Sequence, residues 1–153
     1  MENNKYYTPE IEEFRVGFEY EFRHPDYKEK GWVKYDTPEF NWEREDSVPT
    51  FSRYQKVEDF RVKYLDAQDI EELGFKQEYV INGTTDELEP GHILHKTENL
   101  FYVINSLENN KYLIYKGFMY NEYSGNWDQE DLYQGTILNK SELKWILTRI
   151  GVL

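Results

Sequence analysis

The chain has no cysteine, which excludes disulfides, thiolate metal sites and cysteine nucleophiles. Basic residues are scarce: 18 Lys and Arg stand against 30 Asp and Glu, a formal net charge of -12. A field of that sign repels phosphate backbones and anionic bilayers, so neither direct nucleic-acid binding nor a membrane surface is expected. It admits a basic protein partner, a cation, or mimicry of a nucleic acid's own charge, while an acidic surface also serves solubility alone. Long apolar runs are missing too. Met1-Glu2-Asn3-Asn4-Lys5 is polar, no apolar stretch follows it, and none reaches the length of a membrane span. A cytoplasmic location is the expectation. Glycine-rich phosphate loops and the Gly-x-Ser-x-Gly elbow are also absent from the sequence.

What the chain has in abundance is aromatic rings: 18% of its 153 residues, with Tyr 14, Phe 9 and Trp 4. A disordered acidic chain would lack the apolar area to offset its ordering entropy, so the composition fits one folded domain over residues 1–153. A tyrosine packs its ring while its hydroxyl reaches water or a partner. The rings therefore serve either a modest core with a Tyr-rich rim or an aromatic binding surface.

The local patterns predict an α+β fold, mainly an antiparallel sheet of about six to eight short strands with two helices. Phe14, Val16, Phe18, Tyr20 and Phe22 alternate with polar residues or glycine, the period of a half-buried strand, and Gly31–Tyr35 reads as its hairpin partner. Residues 36–55 lose the pattern and read as a long acidic, aromatic loop. Phe60–Tyr64, Glu78–Ile81, His92–Lys96, Leu100–Ile104, Tyr112–Tyr115, Phe118–Tyr120 and Thr136–Leu138 are the further strand segments, with a hairpin turn at Glu108-Asn109-Asn110. A short helix is predicted near 66–73, capped by Asp66 with Asp69 at its third position and closed by Gly74. A second is predicted near 140–150, packed on the sheet. Asn139 caps it, and Leu143, Ile146, Leu147 and Ile150 form one apolar stripe, with Val152 and Leu153 tucked beneath.

Candidate chemistry is thin. His92 and His95 stand three apart in a strand, so they point to opposite faces and cannot share one ion. His95-Lys96-Thr97 has the form of half a two-histidine phosphoesterase signature, but no second His-x-Thr/Ser tripeptide completes it. Asn126, Asp128 and Glu130 alternate beside Gly125 as in a calcium loop, yet the glycine is misplaced and a solvated acidic turn is the simpler expectation. Glu19 and Glu21 share one strand face at about 7 Å, a spacing that suits acid–base work and that any wet acidic strand produces. No metal and no cofactor are expected, and an enzyme is not the favoured class.

The segments Tyr7-Thr8-Pro9-Glu10-Ile11-Glu12-Glu13-Phe14, Phe60–Asp66 with Asp69–Gly74, and Asn139-Lys140-Ser141-Glu142-Leu143 resemble short acidic proteins of phages and mobile elements of Bacteroides-type bacteria. The resemblance brings no catalytic residue. It implies an accessory binder or counter-defence factor in the cytoplasm of a host cell. Two ring-rich stretches are the sites to consider: Trp32, Tyr35, Phe40, Trp42, Phe51 and Tyr54, then Tyr115, Tyr120, Tyr123, Trp127 and Tyr133. Rings at loop positions stack on bases or anchor interfaces. The expected ligand- or partner-binding set is Trp32, Tyr35, Trp42, Arg44, Tyr54, Lys116, Tyr120, Tyr123 and Trp127. The partner is a protein or a small nucleotide-like ligand, and short edge strands also fit a homodimer. The alternatives are an acidic DNA mimic that occupies the cleft of a basic nucleic-acid-binding protein and, third, a hydrolase built on His95.

Overall fold

Two antiparallel sheets carry the fold. The computed structural model describes residues 5–14, 17–36, 59–81, 88–121 and 126–153, and only the backbone at 11, 25, 27, 81, 88, 119–121, 126 and 127. Strands β1 (Tyr6–Tyr7), β2 (Glu19–Phe22), β3 (Val33–Asp36) and β4 (Phe60–Lys63) form one sheet in the order β1-β4-β2-β3. Strands β5 (Lys76–Ile81), β6 (Leu88–His95), β7 (Leu100–Ser106), β8 (Lys111–Asn121) and β9 (Asn126–Thr136) form a five-stranded meander in chain order. With the helices α1 (Ala67–Glu71) and α2 (Lys140–Arg149), the protein is α+β and mostly β. The chain divides into two compact units, Met1–Tyr64 with Asn139–Glu142, and Leu65–Leu138 with Leu143–Leu153.

In the first unit, the strand expected over Phe14–Phe22 is confined to its second half. Ile11–Glu13 is a 3-10 turn, and Gly17 takes a φ of 77°, a left-handed conformation that breaks the extended run before Glu19. Phe14 still joins the core from outside the strand. Its ring meets Phe18, Tyr20 and Phe60 edge-on at 5.2, 5.1 and 5.5 Å. The expected hairpin of β2 with β3 is present, with Tyr20 opposite Tyr35 and Phe22 opposite Val33. Pairing of Phe22 with Phe60 on β4 extends the ring cluster across the sheet. Segment 36–55 lies outside the described residues beyond Asp36, which closes β3.

In the second unit, α1 has the expected reciprocal cap: the Asp69 N–H donates to Asp66 Oδ1 at 3.1 Å and the Asp66 N–H to Asp69 Oδ2 at 3.2 Å. Gly74, with φ 96°, ends it. Ile70 and Phe75 from this corner join Ile104, Tyr112 and Ile114 of the sheet and Leu143, Ile146 and Leu147 of α2 in one buried cluster. The stripe on α2 thus packs on the sheet face that the periodicity implies. Val152 is buried but Leu153 is 46% exposed, so only the first of the two terminal residues tucks under.

Three strand boundaries differ from expectation. The strand expected over His92–Lys96 starts earlier, at Leu88, so Pro90 and Gly91 lie inside β6, where Pro90 pairs with Tyr79 and Gly91 with Glu78. Tyr112–Tyr115 and Phe118–Tyr120 are one strand, β8, continuous through Gly117. The residues read as a solvated turn around Asp128, and the ring-rich stretch around it from Asn126 to Tyr133, form most of β9, while Ile137 and Leu138 lie beyond its end. Asp, Asn, Gln and Glu are poor strand formers, and here the ladder to β8 overrides that preference. A bulge interrupts the ladder: Ile114 faces Tyr133 and Tyr115 faces Asp131, leaving Leu132 as the extra residue. At the β7–β8 connection Asn109 and Asn110 both have φ 58°, the left-handed pair that asparagine tolerates.

Candidate functional site

Beyond the part of the five-stranded sheet that packs on α2, strands β7, β8 and β9 continue as the floor of a groove of about 590 Å³. Strand register sets its lining. Leu100, Phe118 and Asp128 form one cross-strand row, and Tyr102, Lys116 and Glu130 form the next, with Gln129 alongside. All six lie on the face that carries Ile104 and Ile114, since side chains two apart on a strand share a face. Tyr102 packs against the edge of the helix-covered cluster, whereas Phe118 is 41% exposed.

The groove is apolar in its floor and charged along its β9 side. The Lys116 ammonium forms an ion pair with Glu130, and this carboxylate raises the lysine pKa above its ordinary value. One ammonium against the carboxylates of Asp128 and Glu130 gives the lining a formal charge of about -1 at neutral pH. Volumes in this range suit a small ligand or a few side chains of a partner.

A second arrangement occupies the polar face of the four-stranded sheet. The Arg61 guanidinium lies 3.8 Å from the ring centroid of Tyr6 and 4.3 Å from that of Trp32, while Arg23 lies 4.8 Å from Trp32. The Glu21 carboxylate accepts from Arg61 Nε at 2.6 Å and from its terminal nitrogen at 2.5 Å. Glu19 takes Lys34 at 2.6 Å. Both members of the Glu19/Glu21 pair thus have cationic partners, and their spacing is that of a cross-strand ion ladder. The Nε of Arg23 is buried and has no hydrogen-bond partner.

The expected binding residues that are described fall in both units. Lys116 lines the groove, Trp32 belongs to the arginine stack, and Tyr35 stacks on Tyr20 at 5.9 Å as the exposed flank of the ring cluster. The backbones of Tyr120 and Trp127 lie on β8 and β9, in strands rather than loops. Trp42, Arg44, Tyr54 and Tyr123 lie outside the described residues. The groove residues Leu100, Tyr102, Phe118, Asp128 and Glu130 were not in the expected set. Their i, i+2 spacing was visible on each strand, but the register that aligns the three strands was not. Arg23 and Arg61 were missed because their relation to Trp32 is between strands.

His92 and His95 do point to opposite faces: His92 pairs with Ile104 on the helix-packed side and His95 with Phe101 on the other. Burial lowers the His92 pKa and keeps the ring neutral, and its Nε2 has no partner. His95 is exposed, with Nε2 3.9 Å from Glu78. Among the described residues no group of three or more His, Asp or Glu could hold a metal ion, and no helix is long and apolar enough to cross a membrane. The chain matches no family model, and no match is found among curated proteins or solved structures.

Proposed function

We propose that this is a non-catalytic binding protein whose working surface is the β7–β9 groove, and that its occupant is a basic, partly apolar segment of a protein partner. The observation that carries this reading is the groove itself: an apolar floor of Leu100, Tyr102 and Phe118 beside a carboxylate-bearing strand. Aromatic anchors in a desolvated centre supply most of an interface's energy, while rim charges set orientation and encounter rate. A net charge of -12 favours a basic partner over an anionic one. An accessory or counter-defence role of the phage type, implied by the sequence resemblance, fits such a protein.

Photo-crosslinking tests the reading. A benzophenone side chain at position 118 is expected to capture a discrete host protein, and Leu100→Glu in the same chain to abolish the capture. An adduct pattern identical to that from a probe at the exposed Glu98 would count against the groove.

One observation favours the charge-mimic alternative. Strand β9 exposes Asp128, Glu130 and Asp131 along the edge of the sheet. A DNA mimic would bind its partner in competition with duplex DNA and lose affinity steeply with salt. Binding that DNA does not displace would leave the groove reading alone.

A further inference from the structure

The two cross-strand rows of the groove differ in charge. In the row Tyr102–Lys116–Glu130 the lysine pairs with the glutamate, so the row compensates its own charge. The row Leu100–Phe118–Asp128 contains a carboxylate and no cation, and its central ring is 41% exposed, more than Leu100 or Tyr102. The net negative charge of the lining therefore coincides with the most exposed ring of its floor. Neighbouring strands are about 4.8 Å apart, so a group lying on the Phe118 ring is within reach of the carboxylate directly opposite.

Resting on the groove reading above, we infer that the basic residue of the partner segment is an arginine, with its guanidinium laid on the Phe118 ring and forked onto the Asp128 carboxylate. A guanidinium is planar and weakly hydrated, so it stacks on an aromatic face while its edge donates two parallel N–H bonds to one carboxylate. An ammonium is a compact, strongly hydrated point charge and cannot do both. A carboxylate has about four lone-pair sites, so Asp128 takes the fork beside any partner it has within the protein. An extended segment crossing the strands places residues two apart on one face at about 7 Å, or about one and a half strand spacings. That is the distance from the Phe118–Asp128 pair to β7, so an apolar residue two positions from the arginine covers Leu100 and Tyr102.

The probe is the capped pentapeptide acetyl-Leu-Ala-Arg-Ala-Leu-amide, titrated into the full chain and followed by NMR at the Phe118 ring. Two companion peptides carry lysine or citrulline in place of the arginine. Leucine on both sides serves either chain direction, and citrulline keeps the planar shape without the charge. A saturable shift is expected, with lysine at least about threefold and citrulline at least about tenfold weaker than arginine. Asp128→Asn and Glu130→Gln each remove one formal charge from the lining, but only the first removes the contact. Asp128→Asn should bring the arginine and citrulline peptides within about twofold of each other, whereas Glu130→Gln keeps most of the difference. If Asp128→Asn does not fold, the three peptides on the unaltered chain decide. Equal binding of the arginine and lysine peptides, equal effects of the two carboxylate variants, or no saturable shift with any peptide would overturn the assignment. The groove itself is judged separately, by partner capture at position 118: capture with all three peptides binding alike would leave the groove standing and the arginine refuted.

Discussion

The Phe101 ring on β7 lies over Gly117 on β8, directly across the ladder, and fills the space that a Cβ at position 117 would need. Glycine keeps β8 continuous here while its neighbours Lys116 and Phe118 face the groove on the other side. Gly117→Ala is therefore expected to lower stability by about 1–3 kcal/mol, the usual cost of overpacking. Urea unfolding should show the loss, and Phe101→Leu in the alanine background should recover part of it. An alanine variant as stable as the parent would mean that the ring moves aside freely.

Asn139 does two things at the start of α2. Its Oδ1 accepts the Glu142 N–H at 2.9 Å, and its Nδ2 donates to the Tyr7 hydroxyl at 2.8 Å, which in turn donates to Glu13 at 2.5 Å. Asn139→Ala removes a helix cap and a buried hydrogen bond together and is expected to cost about 1–3 kcal/mol. Asn139→Asp keeps the cap acceptor but loses the amide donor, so it should recover only part. Equal stability of the two variants would show that only one of these bonds matters.

Alkaline pH should destabilise the fold through its tyrosines. Burial raises the pKa of Tyr7, Tyr20, Tyr112 and Tyr115 above the ordinary 10.0, assisted by Glu13 at Tyr7, by Asp66 and Asp69 at Tyr112, and by Asp131 and Glu89 at Tyr115. The unfolded chain then releases these protons first. Stability is fully present below the unfolded value near 10.0 and falls as pH rises beyond it. Ultraviolet titration of phenolate absorbance should show a late-ionising fraction that vanishes in urea, and unfolding midpoints should drop above pH 10.

The Lys116–Glu130 pair governs groove charge more than stability. Glu130→Gln should return the Lys116 pKa toward 10.5, since the carboxylate is the main cause of its rise, while the thermal midpoint stays unchanged. NMR titration of the lysine side chain checks the first point and a melting curve the second. If the groove takes a basic segment, the same variant should capture its partner less well. Unaltered capture would place the electrostatic selectivity elsewhere.

How much of this was legible beforehand varied with the range of the interactions. Both helices could be read because their signals lie within a few residues: Asp66 and Asp69 for α1, Asn139 and the leucine–isoleucine stripe for α2. The Asn109–Asn110 turn was equally local. β9 is hidden from the sequence because its own composition disfavours a strand, and the start of β2 because Gly17 turns the chain inside an otherwise regular alternation.

The candidate sites were legible only as residue types. Sequence alone determined the acidic surface, the absence of thiol chemistry, the α+β class and the two capped helices, all of which follow from composition or from contacts a few residues apart. Tertiary structure decided that Leu100 faces Phe118, that Tyr102 faces Lys116, and that Arg23 and Arg61 share the Trp32 ring. These relations depend on strand register, which long-range pairing sets and which a shift of one residue would reverse.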